Sequence, residues 1–188
     1  MFSCDISHLS YEEAVKSLYD SITDPNNISC QIIFVAEHSR SKIIRDFVGH
    51  IFDIHYIYHP WRGRLVLITD ELVNNAIEHG SNPGDIDSCI VESGINAIGE
   101  FFINLEVHDT GRGIDADDTK HLDAIRDSRL QDTTDNGVYM EKRGRGLFHI
   151  TEKLVDRLTF STSPRGGLAV KIEKSIPRSI PVTDPASK

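Results

Sequence analysis

The sequence predicts a two-layer α/β sandwich: a mixed, mostly antiparallel sheet with helices packed on one face. Three observations lead there. Stretches of helical and strand periodicity interleave along the chain. The last two strand-like runs are joined by a short Pro/Gly turn, as in a hairpin. No internal repeat and no apolar run of membrane-spanning length offers another architecture. At 188 residues, with 39% hydrophobic and 26% charged residues, the chain suffices for one sizeable core and is short for two domains.

The elements follow in order. Residues 8–22, "HLSYEEAVKSLYDSI", place Ala14, Val15, Leu18 and Ile22 at helical spacing, and Ser10 with Glu13 reads as a capping box. "TDPNN" is a turn, and "CQIIFVA" (30–36) is short, β-branched and aromatic, hence a strand. "SRSKIIRDFVGHIF" (39–52) returns to helical spacing, and a loop with Pro60 leads to a third helix over about 63–79. Residues 80–100, rich in Gly, Asn, Asp and Ser, read as loop with one short strand at 88–92. "FFINLEVHD" (101–109) is a half-buried strand, and 114–143 is polar with weak helical character. "GRGLFHITEKLVDRL" opens a helix after a glycine pair, and "LTFSTS" and "GLAVKIEK" flank "PRGG" as a hairpin. The expected organisation is an N-terminal helical extension (1–27), one domain (28–174) and a disordered, proline-bearing tail (175–188).

Composition excludes several functions. A formal charge of −9, with no basic cluster, argues against a nucleic-acid reader. The N-terminus lacks the basic-then-apolar layout of a signal peptide, so neither export nor a membrane is expected. Cys4, Cys30 and Cys89 are odd in number and far apart, matching no disulfide or metal framework, and a reducing cytoplasm is the natural location.

Three motifs carry chemistry. In "TDELVNNAIEHG" (69–80), two adjacent asparagines interrupt a helix that Asn does not favour. Leu65, Ile68, Leu72 and Ala76 form the apolar stripe, while Glu71 and Asn75, one turn apart, project from another face. A carboxylate there can take a proton and an Asn oxygen can ligate a hard cation such as Mg²⁺; an ordinary polar face explains the helix alone equally well. "VHDTGRGI" (107–114) puts Asp109 at a strand end before Gly111 and Gly113. That carboxylate can accept a hydrogen bond from an exocyclic amine such as adenine's, and glycine lets a flat ligand approach; the bland alternative is an Asp-Gly turn. "KRGRGLFHI" (142–150) sets Gly144 and Gly146 before a helix, amid Lys142, Arg143 and Arg145. Free N–H groups at such a helix start favour phosphate. The motif is neither a Walker A loop nor a dinucleotide fingerprint.

Glu-x-x-x-Asn on a helix, Asp-x-Gly-x-Gly after a strand and Gly-x-Gly opening a helix, in that order over roughly residues 30–174, resemble the ATPase fold of gyrase, heat-shock chaperones, sensor histidine kinases and mismatch-repair proteins. Within it, "ELVNNAIEHG" and "GRGLFHITEKLVDRLTF" are most similar to bacterial anti-sigma factor serine/threonine kinases. The resemblance implies ATP and Mg²⁺ as cofactors, Glu71 as general base and Asn75 as magnesium ligand. It implies Asp109 at adenine, with Gly111 and Gly113 beside the base. Gly144 and Gly146 match the phosphate-loop glycines, and 114–143 the lid over the nucleotide. Arg143, Arg145 and Leu147 complete the expected cofactor-binding set, Arg145 from its charge and position. Asn74 is expected to be a bystander or a secondary polar contact, and His79 is left between a site role and a solvated one.

The chain is too short for the transducing domain of gyrase or mismatch-repair proteins, and residues 1–27 cannot supply a sensor kinase's dimerisation helices. The expected function is therefore ATP-dependent phosphorylation of an anti-sigma factor antagonist in a partner-switching system, with a sigma factor as second partner. A homodimer is implied by the resemblance only. The alternative is a nucleotide-gated binding module without phosphoryl transfer, which would have no need of Glu71.

Overall fold

The computed structural model describes residues 1–111 and 154–178. Its strands are β1 (Phe2–Asp5), β2 (Asn27–Val35), β3 (Ile86–Ile95), β4 (Phe101–His108), β5 (Arg157–Thr162) and β6 (Leu168–Ile176). They form one sheet in the order β1-β2-β3-β4-β6-β5, with β1 parallel to β2 and every other pair antiparallel. The helices are α1 (Tyr11–Asp20), α2 (His38–Ile54) and α3 (Trp61–Asn75), and α3 runs on into a π-helical turn, Ala76–Gly80.

Alternation along the strands decides which side the helices cover. In β2, Ile28, Cys30, Ile32 and Phe34 are buried while the residues between them are half-buried, and Phe101, Ile103, Leu105 and Val107 of β4 repeat the pattern. These side chains meet Ala14 and Leu18 of α1, Ile44, Phe47, Ile51 and Phe52 of α2, and Leu65, Ile68 and Leu72 of α3 in one core. Phe52 and Phe101 pack with ring centroids 5.3 Å apart and tilted by 55°. Each such fully buried ring contributes about 1.5–3 kcal/mol relative to leaving it exposed.

The expected capping box is present: Glu13 N–H donates to Ser10 Oγ at 3.3 Å and Ser10 N–H to Glu13 Oε2 at 3.0 Å. The hairpin is β5–β6. Leu65, Ile68, Leu72 and Ala76 are all buried, as their spacing requires.

Three expectations need correction. Residues 80–100 are not mostly loop, because β3 spans ten residues and lies between β2 and β4. Its Asp87, Ser88, Ser93 and Gly94 read as loop residues, yet all four are buried in the strand. Pairing on both edges overrides propensity there. The segment 1–27 carries the expected helix but also strand β1, whose four residues are too few to show a period. Residues 175 and 176, expected to open the disordered tail, belong to β6 instead: Ile176 pairs with Phe101 and is 3% exposed.

Candidate functional site

Helix α3 separates its polar residues into two sets. Asp70 accepts the Ser41 hydroxyl proton at 2.6 Å and lies 3.8 Å from Arg45, while Asn74 Oδ1 sits 3.3 Å from His38 Nδ1. All three partners are on α2, so Asp70 and Asn74, one turn apart, fasten α3 to its neighbour. Asn74 is thus a structural contact. Glu71 and Asn75, each one residue further along and half-buried, make no hydrogen bond or ion pair among the described residues. A step of one residue, about 100° around the helix axis, separates residues spent on packing from residues with no partner among those described.

Beyond Asn75 the helix widens. The π-helical turn Ala76–Gly80 carries Glu78 and His79 outward, where both are exposed and His79 Nε2 lies 3.7 Å from Glu78 Oε2. Such turns recur at functional sites because they redirect the chain. This one delivers Gly80 against Asp109, just past β4. A Cβ on Gly80 would stand 2.2 Å from Asp109 Oδ2, so only glycine lets helix and carboxylate approach this closely.

Asp109 is 7% exposed. Its Oδ1 accepts the N–H groups of Gly111 at 3.0 Å and Leu168 at 2.8 Å, while its own N–H donates to Leu168 O at 3.0 Å. Burial pushes its pKa upward, and the two backbone amides work against that shift. Gly111 also donates to Gly80 O at 2.9 Å. Its φ of 99° requires glycine, and a side chain would meet Gly166 O at 2.7 Å. Its glycine is therefore needed for the turn itself, before any ligand is considered.

Around this turn lies a polar network that sequence reasoning missed. Ser81 Oγ donates to Asp87 Oδ1 at 2.6 Å and accepts the Thr110 N–H at 3.2 Å, and Thr110 Oγ1 donates to Asp85 Oδ2 at 2.8 Å. Burial pushes the Asp87 pKa up to about 6; the Ser81 bond opposes this, and the charges of Asp109 and Asp85 add to it. The only sequence signal was "DID" (85–87), alternating acids opening a strand that had been read as loop.

Four expected site residues are therefore placed. Glu71 and Asn75 on α3 are linked to Asp109 and Gly111 through the Gly80–Ser81 junction. Gly113, Arg143, Gly144, Arg145, Gly146, Leu147 and the 114–143 segment lie outside the described residues. A nucleotide and a hard cation fit what is described. Asp109 Oδ2 takes no part in the two amide bonds, and Glu71 and Asn75 offer oxygens with no partner among the described residues. No group of three or more His, Cys, Asp or Glu suited to a metal occurs among the described residues. Mg²⁺ characteristically takes one or two protein oxygens and completes its shell with phosphate and water.

Residues 62–178, more than half of the chain and running from α3 to the end of β6, match the family model described as histidine kinase-, DNA gyrase B-, and HSP90-like ATPase. No curated protein matches. Among solved structures, a match is the crystal structure of the SiaB-SiaC complex from Pseudomonas aeruginosa, 10% identical, with 86% of this chain and 97% of that chain covered and a TM-score of 0.45.

Proposed function

The chain belongs to the histidine kinase-, DNA gyrase B-, and HSP90-like ATPase family, and we propose that within it this protein is an ATP-dependent serine/threonine kinase acting on an anti-sigma factor antagonist. The observation that carries the reading is the division on α3: Asp70 and Asn74 are bound to α2, whereas Glu71 and Asn75 have no partner among the described residues and are linked through Gly80 to a buried Asp109.

Asp109 Oδ2 accepts a hydrogen bond from the adenine amino group, while the Oδ1 contacts hold the carboxylate in place. Asn75 offers its side-chain oxygen to Mg²⁺, which, when bound, supplies charge neutralisation on the phosphates. Glu71 takes the proton of the acceptor hydroxyl as its oxygen bonds to the γ-phosphorus and the bond to the ADP oxygen breaks. Positioning and electrostatics are most of what phosphoryl transfer asks of a protein, so few side chains suffice. The protein substrate, and a sigma factor as second partner, rest on the sequence likeness of "ELVNNAIEHG" and "GRGLFHITEKLVDRLTF" to anti-sigma factor kinases. The three free, buried cysteines are compatible with a cytoplasmic location. Among the described residues, no helix is long and apolar enough to cross a membrane.

The test is transfer from γ-labelled ATP to a candidate antagonist by wild type, Glu71→Ala and Asn75→Ala. Transfer by wild type alone, with ATP still bound by Glu71→Ala, is the expected result. Tight ATP binding without transfer to any acceptor would leave a nucleotide-gated binding module.

A further inference from the structure

Asp87 is a buried carboxylate that the proposed phosphoryl transfer does not use. It opens β3 opposite Phe34, on the helix-covered side of the sheet, and is 0% exposed. Oδ1 accepts a hydrogen bond from the Ser81 hydroxyl, and Oδ2 has no hydrogen-bond partner among the described residues. The charged groups facing it are Asp85 just before its strand, Asp109 past the end of β4, and Arg165 on the β5–β6 turn. Two of the three repel it. A neutral residue would cost the fold less.

The geometry gives the charge a task. Ser81 has one hydroxyl proton, and an ionised Asp87 takes it as a charge-assisted hydrogen bond. The lone pairs of the Ser81 oxygen are then free for the Thr110 N–H, while the Thr110 hydroxyl is held by Asp85. Thr110 lies between Asp109 and Gly111, and Ser81 directly follows the π-helical turn of α3.

We propose that Asp87 is a positioning residue for the nucleotide: through Ser81 it holds the Asp109–Thr110–Gly111 turn in register with the helix end bearing Glu71 and Asn75, and its charge behind Asp109 favours a base presenting an exocyclic amino group. The proposal rests on the nucleotide-binding reading above and deepens it. It has an unusual consequence. Protonating Asp87 removes a buried charge and so stabilises the fold, yet it also weakens the acceptor that orders Ser81 and so weakens binding. A purely structural residue would move stability and affinity together.

The experiment measures affinity for ADP and for inosine diphosphate, whose base lacks the amino group, together with the unfolding midpoint. It uses the full chain from pH 5 to 8, as wild type, Asp87→Asn and Ser81→Ala. Comparing variants at each pH cancels the titration of the ligand phosphates. Relative to Asp87→Asn, wild-type affinity for ADP should fall about tenfold from pH 7.5 to 5 while relative stability rises. The preference for ADP over inosine diphosphate should shrink in Asp87→Asn. Amide exchange at Thr110 should quicken in Asp87→Asn, and in Ser81→Ala, which leaves the buried acid in place should the first variant not fold. Wild-type-like ADP binding by Asp87→Asn at every pH, parallel loss of affinity and stability, or unchanged Thr110 protection overturns the proposal alone. Failure of folded wild type to bind ADP at any pH overturns the nucleotide reading and the proposal with it.

Discussion

The two ends of the candidate site are built in opposite ways. At the strand end, Asp109, Thr110 and Gly111 are tied into Gly80, Ser81, Asp85 and Leu168 by hydrogen bonds of 2.8–3.2 Å. At the helix end, Glu71 and Asn75 have no partner among the described residues. The difference matches the work each end would do. Recognition of a flat base benefits from groups fixed beforehand, because ordering them on binding would cost affinity. Proton transfer and cation binding need oxygens not already engaged by the protein, since a competing bond would have to break first.

If that division is right, damage at the two ends should separate chemistry from binding. The largest effect is expected from Glu71→Ala, which should lower the transfer rate by about 10²–10⁴-fold, the usual loss of a general base, with nucleotide affinity nearly unchanged. Single-turnover kinetics beside equilibrium binding checks it.

The cost of the fixed end is visible in the pH dependence of stability. The Asp87 pKa is raised by burial from 3.8 to about 6, so the folded state binds a proton more tightly than the unfolded chain. Its contribution to stability is fully present below about pH 4 and is lost as pH rises through about 6, on the order of 3 kcal/mol in all. Carboxylates held low, such as Asp53 beside Arg62, contribute with the opposite sign. The difference between wild type and Asp87→Asn in denaturant titrations from pH 4 to 8 therefore isolates the Asp87 part.

Asp109→Asn should weaken nucleotide binding by about 10–100-fold, the range for losing a hydrogen bond to a charged group, and should leave the turnover of bound nucleotide far less affected. Binding calorimetry on the folded variant measures this. The smallest effect belongs to Asn74→Ala. It removes a helix–helix contact with His38 and should cost less than about 1 kcal/mol in thermal unfolding. Asn75→Ala, one residue on, should instead abolish the response to Mg²⁺.

Legibility in the sequence follows the same division. Periodicity is readable wherever apolar residues face the core, so α1, α2, the α3 stripe and the β5–β6 hairpin lie close to where spacing placed them. The site motifs were readable because Asn in a helix, and Asp before paired glycines, go against local propensity. Buried polarity defeated the pattern. Asp87, Ser88 and Ser93 lie inside a central strand but have the composition of a loop, and without β3 as a strand there was no reason to set Asp87 behind Asp109. Gly80 was read as part of a motif, while its closeness to Asp109 depends on a π-helical turn that no residue pattern announces.

Titrating ADP into wild type and Asn75→Ala, with and without Mg²⁺, tests the central claim most directly. Saturable one-to-one binding, strengthened by Mg²⁺ in wild type and indifferent to it in Asn75→Ala, is the expected result. Absence of ADP binding by folded wild type, or an identical response to Mg²⁺ in both proteins, would contradict the assignment of this site.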